Sequence, residues 1–240
     1  MKVGGRHGTA IVLANGVPPT RAGLDSAWPG WNERIGLFVV VVTIAADGGA
    51  RLAEPLGLRL DRWLGDADSF PVAEVDRLEA QGVHVHRFPR EKEASDLELA
   101  VLEAAESGVA GIHILGGLGG RVDHELANIA LLGHPALEGI YVSLLDDHTR
   151  IQLLSAPRMG KFGYLGARAG TVISLLPFGG RVEGVTTRGL MYPLNDEPLD
   201  VGPARGLSNV VSDYEISVTI RSGRLLVIES LPESPATVDR

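Results

Sequence analysis

Gly116-Gly117-Leu118-Gly119-Gly120-Arg121-Val122-Asp123-His124-Glu125-Leu126-Ala127-Asn128 is the stretch on which the fold turns. It follows a short apolar run at 111–115 (GIHIL) and opens an amphipathic run that stops at Gly133, with Pro135 just beyond. That order predicts strand, glycine turn, helix. Glycines free the backbone to approach a ligand closely, and the helix aims its unpaired N–H groups and positive dipole end at the same place. Arg121 adds a cation whose fork suits phosphate. Asp123 and His124 add groups for a metal, a proton or a ligand. An ordinary helix start, with Asp123 as a first-turn acid, remains the competing reading of these residues alone.

Working outward, apolar runs alternate with helical patterns on either side of this turn. Strands are expected at 10–14 (AIVLA), 38–44, 58–64, 83–88 (VHVHRF), 111–115 and 140–145. The run at 38–44 is β-branched and apolar throughout, the pattern of a strand buried on both faces of a parallel sheet. Between the strands, Ser69 is expected to cap a helix with Val72, Val75 and Leu78 on one face, ending at Gly82. Ser95 and Glu98 fit a capping box for a helix with Leu97, Ala100, Val101 and Ala104 inward. Residues 20–34 are poorly periodic and read as a weak helix or loop. Strands alternating with helices predict a doubly wound, mainly parallel α/β domain over residues 1–148. Asn15-Gly16, Asp47-Gly48-Gly49, Asp66 with Asp68, Lys92 with Asp96, and the turn from Gly116 to Asp123 each follow a predicted strand. In such a sheet those strand ends share one edge, where ligands bind.

After about Arg150 the helical period disappears, and short strand patterns at 151–154, 162–165, 171–176, 182–186, 214–220 and 224–228 are separated by Gly, Pro and Asn. Tyr214, Ile216, Val218 and Ile220 alternate with polar residues, so one face should be buried. Ser222-Gly223 reads as a tight hairpin joining the last two strands. Residues 149–240 therefore read as an all-β sandwich or barrel domain with a loose tail from Pro232.

Composition narrows the chemistry. The 240 residues carry a net charge of −8, with no Lys/Arg run, which argues against a nucleic-acid partner. Cysteine is absent, so disulfides, thiolate metal sites and a Cys nucleophile are excluded. The apolar stretch of MKVGGRHGTAIVLANG is too short for a signal peptide, and the run at 37–46 is about half a bilayer span, so a cytoplasmic protein without membrane contact is expected. No G-x-x-x-x-G-K-[ST] occurs, and Val122 falls where G-x-G-x-x-G needs its third glycine. His84, His86 and His113 read as structural, and His7, His134 and His148 as solvated. Asp66 and Asp68 are hard oxygen donors two residues apart, and with Asp96 they suit one or two Mg²⁺ ions. Beside Lys92, Arg121 and a glycine cradle, they make the set that nucleotide–Mg²⁺ chemistry needs.

In order along the chain, Asn15-Gly16, Ala46-Asp47-Gly48-Gly49, Gly65-Asp66-Ala67-Asp68-Ser69, Lys92-Glu93-Ala94-Ser95-Asp96 and Gly119-Gly120-Arg121-Val122-Asp123-His124 with Asn128 resemble the thiamine pyrophosphokinase (thiamine diphosphokinase) family. The likeness continues through Gly184-Val185-Thr186-Thr187, Gly189-Leu190-Met191-Tyr192-Pro193-Leu194 and Gly206-Leu207-Ser208-Asn209. Each piece is weak, and the ordered set is specific. The resemblance implies a homodimer with thiamine at the subunit junction that moves a pyrophosphoryl group from ATP to the thiamine hydroxyl, releases AMP and requires Mg²⁺. It implies metal on Asp66, Asp68 and Asp96, phosphates on Lys92 and Arg121, a reacting centre lined by Asp47 and Asp123, and thiamine against Tyr192, Ser208 and Asn209. Asn15, Gly48, Gly49, Ser69, Ser95, Gly119, Gly120, His124 and Asn128 are expected to line the same ligands. Ser95 stands where the family usually has Thr, Glu93 where Asp is common, and Tyr192 where some members have Trp. A tyrosine ring can still stack on a cation. A pyrophosphokinase for another alcohol, such as a hydroxymethylpterin, and a non-catalytic thiamine- or nucleotide-binding regulator are the rival readings.

Overall fold

Strand β1 (Thr9–Leu13) is buried along its whole length and lies at the centre of the first of two units. The computed structural model describes residues 7–33 and 39–232, and the units divide the chain into Met1–Asp147 and His148–Arg240. The expectations for the extreme N-terminus, for Phe38 as a strand start and for a loose tail beyond 232 lie outside the described residues.

In the first unit, β1 is followed by α1 (Arg21–Ala27), β2 (Val40–Ala46), a 3-10 turn (Asp47–Leu52), β3 (Arg62–Gly65), α2 (Val72–Ala80), β4 (His84–Arg87), α3 (Asp96–Glu106), β5 (Gly111–Leu115), α4 (Val122–Leu131) and β6 (Tyr141–Leu145). The strands pair in parallel in the order β6-β5-β1-β2-β3-β4. Successive strands step one way from β1 to β4. The chain then returns to the other side of β1 for β5, which makes the gap between β1 and β5 the switch point of a doubly wound sheet. The apolar β-branched runs belong here because a central parallel strand has no wet face.

Two local expectations need correction and two others are sharpened. Residues 20–34 contain a true helix, α1, whose cap Thr20 accepts from Gly23 N–H and is itself fixed by Asp147, with Thr20 N–H and Oγ1 donating to its carboxylate at 2.8 and 2.9 Å. That support comes from 127 residues away, so no local period reveals it. The third strand begins at Arg62, not Leu58, because Leu58 N–H closes back on Ala53 O at 2.8 Å. Helix α2 starts at Val72 after Pro71 with no side-chain cap, because the Ser69 hydroxyl is committed elsewhere; of its expected apolar face only Val75 is buried. His134 is not merely solvated, since its ring nitrogen accepts from Ala136 N–H at 3.2 Å.

The second unit contains β7 (Thr149–Ser155), β8 (Lys161–Leu165), β9 (Val172–Pro177), β10 (Val182–Arg188), β11 (Glu197–Leu199), β12 (Asn209–Val210), β13 (Glu215–Thr219) and β14 (Arg224–Ser230). They form two antiparallel sheets, β12-β9-β14-β7 and β11-β10-β13-β8. Between them lies an apolar core that includes Ile173, Leu175, Leu225 and Val227 from one sheet and Phe162, Val185, Ile216 and Val218 from the other. This is a β-sandwich. Ser222-Gly223 does not close a hairpin, because β13 and β14 belong to different sheets and the turn carries the chain across the core. Tyr214 is exposed, so the buried alternation begins at Ile216.

Candidate active site

The loops leaving β1, β2, β3, β4 and β5 emerge at the same edge of the first unit, because all five strands run parallel. A chain of hydrogen bonds links them. Gly16 N–H donates to Gly116 O at 2.7 Å and Val17 N–H to Leu118 O at 3.1 Å, which seats the glycine turn against the loop after β1. Asn15 Nδ2 donates to Ser69 Oγ at 3.1 Å, tying that loop to the one after β3. Ser69 in turn donates to Asp47 Oδ2 through its N–H, at 2.9 Å, and through its hydroxyl.

Asp47 is the most constrained residue in this group. It is 3% exposed, and its φ of 41° lies in the left-handed region that a side chain normally avoids. Its carbonyl accepts from the indole N–H of the fully buried Trp63 at 3.0 Å. With Oδ2 held by Ser69, Oδ1 is buried and has no hydrogen-bond partner among the described residues. A buried carboxylate oxygen left without a donor is costly unless something else satisfies it. Gly49 follows because a side chain there would meet Leu13 O at 2.1 Å.

Carboxylate oxygens of Asp47, Asp66 and Asp68 lie within 4.8 Å of one another. Asp66 accepts from Lys92 Nζ at 3.0 Å and from Asp68 N–H at 3.0 Å. Lys92 Nζ also lies 2.9 Å from Asp96 Oδ1, at ion-pair distance although outside hydrogen-bond geometry. Burial pushes the Asp66 carboxyl up, but Lys92 and the Asp68 N–H outweigh it and hold it below the usual carboxylate value. Burial would depress the Lys92 ammonium, and Asp96 and Asp66 reverse that. Asp96 goes the other way: burial, with Asp66 and Asp47 as like charges, raises its carboxyl despite Lys92. Three acids with one unsatisfied buried oxygen fit a hard divalent cation with oxygen ligands. The close set differs from the expected Asp66, Asp68 and Asp96 in that Asp47 takes the place of Asp96, which stands across Lys92 as the first residue of α3.

The remaining expected residues divide into those that face outward and those that hold the loops. Arg121 and Asp123 are both exposed and bond each other, with Arg121 N–H groups donating at 2.6 and 3.1 Å; that fork lowers the Asp123 carboxyl. Gly120 is open, with nothing near the position a Cβ would take, whereas Gly119 packs on Val17. Asn128 Nδ2 donates to Gly117 O at 2.7 Å and holds the glycine turn. Ser95 caps α3, its hydroxyl accepting from Glu98 N–H at 3.1 Å. Gly48 is buried, its N–H donating to Ser69 Oγ at 3.3 Å, and His124 is exposed on α4. In the second unit Tyr192, Ser208 and Asn209 lie together: Asn209 is hydrogen-bonded to the Tyr192 backbone, and Ser208 takes the left-handed region with its N–H on Ser174 Oγ. No sequence signal marks the Trp63 and Ser69 contacts to Asp47. A tryptophan in a short apolar run signals core, and nothing local says which carbonyl its N–H supports.

Residues 40–144 match the family model described as the thiamin pyrophosphokinase catalytic domain, and residues 164–225 match its vitamin B1 binding domain. Thiamine pyrophosphokinase of Bacillus subtilis is 31% identical over 187 residues, covering 78% of this chain and 86% of that protein. The chain belongs to the thiamine pyrophosphokinase family. Thiamine pyrophosphokinase 1 of Arabidopsis thaliana is 29% identical over 207 residues, covering 77% of this chain and 76% of that one. The crystal structure of the Bacillus subtilis thiamine pyrophosphokinase superposes with a TM-score of 0.76 at 27% identity, over 93% of this chain and 99% of that one. The Candida albicans thiamin pyrophosphokinase shares the fold, with a TM-score of 0.71 at 16% identity over 95% of this chain and 94% of that one. Members of this family are enzymes, and the fold class expected from the sequence is the one found.

Proposed function

We propose that the chain transfers the pyrophosphoryl group of ATP to the primary hydroxyl of thiamine, giving thiamine diphosphate and AMP, with the first unit holding ATP and Mg²⁺ and the second holding thiamine. The observation that carries this reading is the Asp47, Asp66 and Asp68 set with its unsatisfied buried oxygen, beside Lys92. Those three carboxylates would hold Mg²⁺, with Asp96 available from across Lys92. When bound, the ion neutralises phosphate charge. Lys92 and Arg121 supply fixed cations for phosphate oxygens, and Gly120 leaves room for close backbone approach. The thiamine oxygen attacks the β-phosphorus in line as the bond from that phosphorus to the bridging oxygen breaks, and AMP leaves with the bridging oxygen. Such transition states are loose, so positioning supplies most of the rate and no strong base is required. The hydroxyl proton passes late to a carboxylate, Asp96 or Asp123.

Tyr192 with Ser208 supports thiamine as the acceptor rather than a pterin, since an exposed ring suits a cationic heterocycle. Family likeness supports a homodimer with thiamine at the junction of the subunits. A cytoplasmic setting is part of this proposal; no helix among the described residues is long and apolar enough to cross a membrane. The intact acid set argues against a regulator that only binds. The test is purified protein with ATP, Mg²⁺ and thiamine, beside a hydroxymethylpterin control. AMP with thiamine diphosphate is the expected product pair; ADP, or tight binding without turnover, would overturn the reading. Asp68→Asn should fold normally and lose at least about a hundredfold in kcat, because one carboxylate of a positioned metal set is gone.

A further inference from the structure

The turn that presents Tyr192 is fastened at its base, along its length and at its tip. At the base Thr187 N–H donates to Leu194 O at 3.0 Å, and Leu194 N–H donates to the buried Thr187 hydroxyl at 2.9 Å. Midway, Met191 N–H donates to Val210 O at 2.8 Å. At the tip the Asn209 amide closes on the Tyr192 backbone. Its Oδ1 accepts from Tyr192 N–H at 2.9 Å and its Nδ2 donates to Tyr192 O at 2.6 Å. The same Oδ1 accepts from Val210 N–H at 2.9 Å.

An amide offers two acceptor lone pairs and two N–H donors. Both lone pairs of Asn209 and one donor are therefore used inside the chain, and the residue is buried. Tyr192 is the opposite case: the residue is 57% exposed, with Met191 and Leu207 exposed on the same two segments. We infer that Asn209 is a positioning residue that governs acceptor binding through Tyr192 and does not itself touch thiamine. The inference rests on the proposed role of the Tyr192 ring. A ring holds a cation only when its face is presented within a few ångströms, and a turn already fixed in that pose loses less freedom on binding. Releasing the tip leaves the ring present but free to wander.

The test is a double-mutant cycle on the full chain, measuring kcat, KM for thiamine and KM for ATP. Tyr192→Ala and Asn209→Ala should each raise the thiamine KM about tenfold, with the ATP KM unchanged and kcat within about twofold. The double variant should be no worse than either single one, because both remove the same presented ring. A multiplicative effect, near a hundredfold, would mean that Asn209 contacts the acceptor independently, and the inference would fall. A wild-type thiamine KM in Asn209→Ala while Tyr192→Ala is impaired sinks the positioning role alone. A wild-type value in Tyr192→Ala sinks the reading of the ring and this inference with it. Asn209→Asp keeps both acceptor bonds and loses the donation to Tyr192 O. It carries the cycle if Asn209→Ala does not fold, with thiamine binding by calorimetry as the second readout.

Discussion

Asp47 shows how much a single position can be asked to hold. It combines a left-handed backbone, a carbonyl on Trp63 and one carboxylate oxygen on Ser69, and its other oxygen is buried with no donor among the described residues. Ser69→Ala keeps the backbone donor and removes the hydroxyl. We expect a loss of stability of about 1–3 kcal/mol, typical of a hydrogen bond to a charged group. Mg²⁺ affinity should drop roughly tenfold, since partners that orient a ligand carboxylate usually matter that much. Calorimetric Mg²⁺ titration without substrate checks this, and an unchanged affinity would remove Ser69 from any metal role. Asp66 makes a pH prediction. Its carboxyl is held below the ordinary 3.8, so its charged form contributes stability that is complete above that value and lost as pH falls through the lower, folded one. Denaturant midpoints taken without metal between about pH 5 and pH 2 should therefore fall more steeply for the natural protein than for Asp66→Asn.

Among the elements, α3 was the most legible. Leu97, Ala100, Val101 and Ala104 fall on one helical face and are all buried, and Ser95 sits at the cap with its hydroxyl on Glu98 N–H. Ser95→Ala should cost about 1 kcal/mol of unfolding free energy, the usual price of a lost cap, read from urea midpoints at unchanged slope. If Ser95 also meets substrate, the ATP KM will change in the same variant; if it only caps, KM will stay. Helix α1 shows only weakly in the sequence for the converse reason: its cap is anchored by Asp147, a partner that sequence distance hides. Ser69 has the neighbours of a helix cap, yet a buried carboxylate attracts a hydroxyl more strongly than free helix N–H groups that water can satisfy. Helix α4 has an apolar pattern but no buried side chain, with Leu126 61% exposed, so an amphipathic period did not mean burial within this unit.

At the scale of the molecule, each unit is held by its own kind of contact. The sandwich depends on more than its apolar core: Glu229 on β14 is 1% exposed and takes Arg150 of β7 and the Tyr164 hydroxyl of β8, joining the two sheets. Burial first, then Glu229, pushes the Tyr164 hydroxyl well up, so it remains a donor at any ordinary pH. Glu229→Gln keeps the shape and removes the charge that balances Arg150. We expect about 3 kcal/mol of destabilisation, as for breaking a buried pair, with the melting temperature as the measure; a wild-type melt would show the charge is dispensable. The sequence by itself determined the class of both units, most of the strands, and the gathering of the acids at one edge. The strand period, the glycine turns and the parallel order are local or follow from general rules of chain connection, so they can be read without coordinates. Only the tertiary structure decided that Asp47 joins Asp66 and Asp68, that Asp96 stands across Lys92, that Asn128 and Asn209 serve the backbone, and that Ser222-Gly223 crosses between sheets. Those outcomes depend on which donors and acceptors are left over when distant segments pack, a competition among groups tens of residues apart that no local pattern records.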